Sequence, residues 1–360
     1  MGKSDSILSK TIAALRFPLI FVILYIHVVL GVWQNGSIAE ASNLVAYEAV
    51  RFSFVEGIAR IGVPLFFFIS GFLFFYSTSN HGGFDVATYR RKLIGRTKTL
   101  VCPFVFWNLA IVAFYAMAQV FLPSLMSGNT KHVADFSFLD WLSCFYDFQG
   151  TRCPVNVPLW FVRDLIILVV ASPMLYFLVR RFRVFPVAIA FVLWFFLGKN
   201  TNIFVGVFFF SAGAWFGIKG VDFVLLFKKY RRYATLVFLL AMAFGVSLLF
   251  SDVEWGAYFQ KVSIVAGMVA CVGWVAALVE KGRMSSKPIL EDSSFLIYAY
   301  HNLPMLCLSK IIVKNLHPDS SVELIVIFIL LPILIAAFGV VIYWMLKKIF
   351  GRYSIFVCGK

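Results

Sequence analysis

Two residues of the first hydrophobic segment, Arg16 and His27, have side chains and a spacing that could support chemistry. They are eleven positions apart, so on a helix they project from one face and are separated by ~16 Å along the axis. A histidine near neutral pH can take a proton from a hydroxyl group as that hydroxyl attacks a thioester. The pair suits a long substrate with an anionic head at Arg16 and a reactive end at His27, which is the shape of a coenzyme A thioester.

Few other ionisable residues interrupt the apolar segments, namely Arg60, Arg163 with Asp164, and His301. An ionisable group in a membrane span is costly and usually faces a cavity or a partner, so each of these is a candidate site residue. Structural roles are the alternatives. A buried histidine can be a hydrogen-bonded structural group, Arg163 and Asp164 can form an interfacial ion pair, and Arg60 can anchor a lipid headgroup.

His301 lies about seven residues into a segment that enters the membrane from the cytoplasmic side, so we expect it at the depth of His27. Pro304 follows His301, and Pro64 follows Arg60. A proline removes a helical N–H and disturbs the turn before it. Polar side chains beside loosened backbone are typical of helices that line a cavity. We therefore expect the two histidines to meet in a polar site inside a helical bundle.

The elements that must hold these residues are hydrophobic helices. The chain has 360 residues, of which 61% are hydrophobic, 18% aromatic and 14% charged, and this composition excludes an ordinary soluble domain. Apolar runs long enough to cross ~30 Å of hydrocarbon predict an all-α, polytopic membrane bundle of about ten helices, forming a single domain over residues 1–360. The helices are expected near residues 9–33, 57–77, 99–122, 158–179, 184–197, 202–218, 233–250, 260–279, 294–313 and 322–346.

The loop charges orient this bundle. The chain has 32 basic and 17 acidic residues, giving a net charge of +15. If the N-terminus is cytoplasmic, most lysines and arginines fall in the inner segments and most acidic residues in the outer ones, so both termini are expected in the cytoplasm. The cations lie at alternate helix ends and form neither a stripe nor a nucleic-acid module, so a nucleic-acid partner is not expected.

The six cysteines form no CxxC pair and share no metal-ligand spacing with histidine, so no metal site is expected. Cys144 and Cys153 fall in the same outer loop, and we predict a disulfide between them if the outer compartment is oxidising. The sequence contains no GxSxG elbow, phosphate-cradling glycine loop or HExxH helix. Serine hydrolases, nucleotide hydrolases and metalloproteases therefore lack support.

Five segments, in register over residues 11–305, resemble motifs of the acyltransferase-3 family of membrane O-acyltransferases. The first is the Arg16-x10-His27 pair in the first helix. The others lie at residues 60–72 (RIGVPLFFFISGF), 96–108, 158–165 (PLWFVRDL) and 294–301. Their order and spacing agree with the family throughout.

The resemblance implies transfer of an acyl group, commonly acetyl or succinyl, from cytoplasmic acyl-CoA to a hydroxyl of a cell-surface or lipid-linked saccharide. It also implies a multi-pass protein of a bacterial inner membrane, with acetyl-CoA as the expected co-substrate and no permanently bound cofactor. His27 would be the catalytic base, and Arg16 would hold donor phosphate. The further donor-binding candidates are Arg91, Lys92, Arg96 and Lys98, and the acceptor or oxyanion candidates are Arg60, Arg163, Trp160 and His301.

A polysaccharide or lipid exporter or flippase without acyl-transfer chemistry is the rival interpretation, because buried polar residues beside proline breaks also describe transporters. The sequence shows no inverted repeat, and Asp164 is the one acidic residue well inside a predicted span that could couple an ion. The enzyme is therefore the favoured interpretation.

Overall fold

The computed structural model describes residues 3–34, 37–40, 44–79, 83–121, 131–148, 150–198 and 203–359. These residues are almost entirely helical, as predicted, with one two-stranded hairpin, β1 (Gly31–Gln34) and β2 (Ser37–Glu40). The first eight helices are α1 (Lys3–Leu24), α2 (Val45–Phe52), α3 (Gly62–Ser79), α4 (Val86–Arg96), α5 (Cys102–Phe121), α6 (Phe138–Ser143), α7 (Trp160–Val170) and α8 (Ser172–Phe182). The rest are α9 (Phe185–Leu197), α10 (Ile203–Lys219), α11 (Phe223–Phe250), α12 (Gly256–Glu280), α13 (Pro288–Tyr300), α14 (Asn302–Leu316), α15 (Ser321–Phe350) and α16 (Ile355–Cys358).

Within the described ranges, six helical stretches are long and apolar enough to cross a membrane, and two bent helix pairs raise the number to eight if each pair is one span. The predicted number of about ten is therefore not confirmed. The difference lies in α9 and α10, which are shorter apolar helices of 13 and 17 residues. At ~1.5 Å per residue, neither covers ~30 Å of hydrocarbon by itself.

The first helix ends much earlier than predicted. α1 stops at Leu24, a 3₁₀ turn covers Tyr25–His27, and the chain then becomes extended and forms the hairpin. The run after His27 is apolar enough to prolong a hydropathy pattern, but its β-branched valines favour extended backbone. His27 therefore lies at the end of this span, whereas the sequence had placed it inside a longer helix.

The second span is irregular where it carries Arg60. After α2 the chain makes a π-helical stretch, Ser53–Ile58, and a 3₁₀ turn, Ala59–Ile61, before α3 begins. Pro64 has no N–H to give to the carbonyl of Arg60, so a regular helical ladder cannot pass this point. The sequence predicted a helix only from residue 57 onward, because charged residues lower the hydropathy of the preceding segment.

Two helices predicted to be continuous are broken. α7 and α8 meet at 62°, and α13 and α14 meet at 67°. The second break falls at His301, where Pro304 cannot donate to the carbonyl of Tyr300. The bend places His301 at the junction of the two helices.

Helices α3 and α10 pack backbone against backbone through glycines. A Cβ atom at Gly213 would overlap the carbonyl oxygen of Phe68, and one at Gly217 would lie 2.6 Å from the carbonyl oxygen of Phe72. Small residues at this four-residue spacing let two backbones touch. The aromatic runs around Phe67 and Phe209 are buried in this core.

Candidate active site

Helices α1 and α13 run side by side and are joined at two levels. At the lower level, Nη1 of Arg16 forms an ion pair with Oε1 of Glu291. At the upper level, the rings of His27 and His301 face each other edge-on, with centroids 4.8 Å apart. The partners on each helix are separated by eleven and ten residues, or ~15–16 Å of helix, so the two helices run in the same direction. The structure thus brings together the two histidines that the sequence placed at one depth.

His301 is fully buried, and its orientation is fixed. Its Nδ1 lies 2.7 Å from the carbonyl oxygen of Tyr298. A carbonyl oxygen can only accept, so Nδ1 carries the proton and Nε2 of the neutral ring is an acceptor. Nε2 is buried and has no hydrogen-bond partner within the described part of the chain. A buried acceptor left without a donor is costly, and beside a second histidine it marks a position where a ligand or a protonated partner can bind.

A cavity of about 110 Å³ adjoins His27. Its polar lining comes from His27, Arg60, Trp160 and Tyr298, and apolar side chains make up most of the remaining wall. Trp160, an acceptor-side candidate, thus lines the same cavity as His27, and so does Trp194 of α9, which the sequence analysis did not single out. An enclosed, mostly apolar space with a few converging polar groups is the usual form of a small-substrate site.

Arg60 is held at the cavity by an ion pair on its own helical segment. Its Nε lies 2.9 Å from Oε2 of Glu56, and its Nη2 lies 2.6 Å from Oε1. Gln260 of α12 donates to Oε2 of Glu56 at 2.7 Å and to the Glu56 carbonyl oxygen at 3.1 Å. Arg60 was expected at the site, whereas Glu56 and Gln260 were missed. The signal for Glu56 was its position four residues before Arg60.

Two asparagines fix the outer wall of the cavity. The side chain of Asn156 donates to the carbonyl oxygen of Ala299 at 2.8 Å, and its backbone N–H donates to Oδ1 of Asn108 at 3.1 Å. The next residues include Pro158, whose carbonyl oxygen accepts the hydroxyl of Tyr298. These bonds attach the segment before α7 to α13 and so help to hold Trp160 at the cavity. Asn108 could have been noticed as a polar residue within an apolar run.

The donor-binding candidates divide into two groups. Arg96 is close enough to Arg16 for the two guanidinium groups to repel each other, and Arg96 has no ion-pair partner among residues that the structure describes. Lys92 lies within electrostatic range of Arg91 and Arg96, but its Nζ donates to the carbonyl oxygen of Phe74. Two neighbouring cations on different helices form a natural site for an anion.

Arg91 and Lys98 are exposed and do not reach Arg16 through any contact that we find in the described chain. Arg91 borders a shallow groove on α4 together with Arg90. Of the donor-binding candidates, the structure thus brings Arg16 and Arg96 near each other, with Lys92 nearby, and leaves Arg91 and Lys98 apart from them.

Arg163 was expected on the acceptor side but points away from the cavity. Its guanidinium pairs with Oδ1 of Asp164 at 2.7 Å, donates to the carbonyl oxygen of Arg152, and lies 5.0 Å from the ring centre of Tyr146. It therefore anchors the loop before α7 to that helix, which is the ion-pair alternative. The sequence could not decide on which side of α7 the guanidinium would lie.

Cys144 and Cys153 are both free thiols, so the predicted disulfide is not formed in this structure. Their segments are nevertheless paired. The N–H of Val155 donates to the Cys144 carbonyl oxygen at 2.8 Å, and that of Asp147 donates to the Cys153 carbonyl oxygen at 3.2 Å. Among the described residues, no group of three or more His, Cys, Asp or Glu side chains could hold a metal ion.

Comparison with known proteins identifies the family of the chain. The acyltransferase domain model matches residues 10–346, a range that contains both levels of the α1–α13 pair. The chain is similar to the succinoglycan biosynthesis protein ExoH of Rhizobium meliloti (strain 1021), with 26% identity over 295 residues, covering 79% of this chain and 74% of that relative. No solved structure matches the chain significantly. The chain belongs to the acyltransferase-3 family and is a multi-pass membrane acyltransferase.

Proposed function

We propose that this protein is an O-acyltransferase that moves an acyl group, in the first instance acetyl, from cytoplasmic acyl-CoA to a hydroxyl of a cell-surface or lipid-linked saccharide. The observation that carries the proposal is the pairing of His27 with His301 beside the cavity, one helix length from Arg16. This pairing supports a mode of binding in which the donor enters at Arg16 and presents its thioester to His27.

The chemistry at the upper level follows from the ring nitrogens. His27 takes the proton of the acceptor hydroxyl as its oxygen attacks the thioester carbonyl carbon, and the C–S bond then breaks to give the ester and coenzyme A thiolate. The proton on His27 returns to the thiolate, so atoms and charges balance. The free Nε2 of His301 can accept a hydrogen bond from the protonated His27 ring and stabilise its charge.

The lower level fits the anionic end of the donor. Arg16 and Arg96 come from α1 and α4, and both guanidinium groups can bind phosphate oxygens in pairs. Glu291 already occupies Arg16, so an incoming phosphate would exchange with that carboxylate. We propose that both termini are cytoplasmic and that α9 and α10 complete ten membrane-inserted helices, as the loop charges favour.

A saccharide acceptor is supported by the similarity to a protein named for succinoglycan biosynthesis. Trp160 and Tyr298 supply aromatic surface and polar edges at the cavity, a combination suited to a sugar ring. The exporter alternative draws on the two helix breaks, which also occur in transporters, but it leaves the orphaned acceptor of His301 without a role.

The test uses purified protein in lipid nanodiscs with radiolabelled acetyl-CoA and a lipid-linked saccharide fraction from the native membrane. We expect label in the saccharide fraction and release of free coenzyme A thiol. His27→Ala should reduce transfer by ~10²–10⁴-fold, whereas His132→Ala, which changes an exposed histidine of the outer loop, should leave it unchanged.

Both variants should elute and melt as the wild type does. Undiminished transfer by His27→Ala would overturn the mechanism. Movement of unlabelled saccharide across proteoliposomes without any label transfer would favour the exporter.

A further inference from the structure

The charged pair next to His27 has more support than a lipid-facing arginine needs. Glu56 contacts Arg60 through both carboxylate oxygens, and Gln260 from α12 holds one of those oxygens as well as the Glu56 backbone. The side chains of Arg60 and Glu56 are 21% and 16% exposed, and Gln260 is buried. Two side chains from separate parts of the chain therefore fix one guanidinium group, Glu56 directly and Gln260 through Glu56.

This arrangement leaves one nitrogen of Arg60 available. Nε and Nη2 are used by Glu56, and Nη1 has no partner in the part of the chain that the structure describes. Arg60 lines the cavity together with His27. Because a bidentate pair fixes the plane of the guanidinium, the direction of Nη1 is fixed as well. A cation that had only to neutralise charge would not need this fixed direction.

The irregular backbone contributes to the same placement. Glu56 lies in the π-helical stretch and Arg60 in the 3₁₀ turn that follows. Such irregular turns shift side chains out of the positions that a regular helix would give them, and they occur often at functional sites. Gln260 compensates by donating to the Glu56 carbonyl oxygen in this stretch.

We propose that Glu56 and Gln260 are positioning residues that orient Arg60 so that its Nη1 donates to the carbonyl oxygen of the acyl group as negative charge develops on it. This assignment rests on the proposed acyl transfer. A preorganised donor aimed at an oxyanion is worth more than a mobile one, because it need not reorganise during the reaction. Glu56 acts only through Arg60.

A matched ion pair on the neighbouring helix provides the control. Glu48 holds Arg51 through bonds of 3.0 and 2.7 Å, with similar exposure, and neither residue lines the cavity. Glu56→Gln and Glu48→Gln each remove one carboxylate in the same part of the chain. The first removes it from an arginine that lines the cavity, and the second from an arginine that does not.

The first measurement does not depend on activity. Purified variants in nanodiscs are treated with phenylglyoxal, and the modification rate of each arginine is followed by peptide mass spectrometry. We expect Arg60 to react several times faster in Glu56→Gln and in Gln260→Met than in the wild type. In Glu48→Gln, the modification rate of Arg51 should increase and that of Arg60 should not change. An unchanged Arg60 rate in Glu56→Gln would overturn the positioning role even if the protein transferred no acyl group.

The second measurement is acyl transfer under saturating donor. Glu56→Gln should lower kcat by ~10–100-fold with the KM for acetyl-CoA within twofold, since one oxyanion donor contributes ~10²–10³-fold. Glu56→Asp should recover part of the loss, and Glu56→Gln/Arg60→Gln should be no slower than Arg60→Gln alone. Wild-type kcat in Glu56→Gln, or losses that multiply in the double variant, would overturn the proposal. A wild-type protein that transfers nothing would instead refute the proposed function, and the phenylglyoxal rates would still decide the positioning.

Discussion

Replacing the interface glycines of α3 and α10 with alanine should destabilise the protein in a definite order. A Cβ at Gly217 would lie 2.6 Å from the Phe72 carbonyl oxygen and 3.1 Å from the Tyr76 nitrogen. Contacts below 3.0 Å are essentially never seen for real Cβ atoms, so the helices must separate by several tenths of an ångström. At Gly213 the overlap is with the Phe68 carbonyl oxygen, and the next backbone atoms lie at 2.8 and 2.9 Å. No flexible side-chain end is present there to relieve the strain.

Overpacking of this kind costs about 1–3 kcal/mol, which at roughly 2 °C per kcal/mol lowers Tm by about 2–6 °C. Gly213→Ala should cause a decrease in Tm near the upper end of this range, and Gly217→Ala a smaller decrease. The matched control is Gly95→Ala in α4, where no atom lies within 4 Å of the added Cβ. Alanine favours helix over glycine by ~0.5–1 kcal/mol, so Gly95→Ala should leave Tm unchanged or raise it slightly.

The assay is thermal unfolding in detergent, followed by fluorescence-detected size-exclusion chromatography after heating. α3 carries Val63 and Pro64, and α10 carries Val205, all of which line the cavity. Loss of transfer activity should therefore follow the same order as the loss of stability. Equal melting temperatures for Gly213→Ala and Gly95→Ala would refute the reasoning that backbone contact limits this interface.

Two further predictions concern the ends of the site. Glu291→Gln should free Arg16 for donor phosphate. Because the ion pair is partly exposed, breaking it changes the free energy by at most about 1 kcal/mol, so the KM for acetyl-CoA should fall by roughly 2–5-fold. Asp292→Asn is the control. A raised KM would mean that Glu291 positions Arg16 for the donor. In the loop that contains Cys144 and Cys153, burial raises the pKa of both thiols above the ordinary thiol value. Labelling of intact cells by an impermeant maleimide should therefore be slow at pH 7. It should accelerate only when the pH exceeds the ordinary thiol pKa, because more thiolate then forms. Rapid, pH-independent labelling, or labelling only after lysis, would contradict the environment or the outward orientation of this loop.

Helical periodicity was sufficient to place Arg16 and His27 on one face, and counting residues from the inner end of the ninth segment was sufficient to bring His301 to the level of His27. Both deductions depend only on rise and rotation per residue, which vary little between helices. The end of α1 could not be predicted in this way, because the valines after His27 are as apolar as the helix before them.

Two arginines show what the sequence left open at the site. Arg163 and Arg60 are both arginines in apolar segments, but one is drawn to a loop carbonyl and an aromatic ring and the other to a carboxylate beside the cavity. Arg152 and Tyr146 lie in the loop before α7, where no helical periodicity relates them to Arg163, whereas the four-residue spacing of Glu56 and Arg60 was a usable signal. Glu56 was overlooked because hydropathy identified a span only after it.

The two levels of contact between α1 and α13 set a fixed distance inside the protein. A donor held by its phosphates at Arg16 must be long enough to deliver its thioester ~16 Å away at His27. Under the proposed function this distance works as a molecular ruler. Thioesters of short thiols lack both the charged anchor and the length, so the enzyme would discriminate between acyl carriers by length as well as by charge. Water near His27 would also not meet a thioester until the full-length carrier had bound.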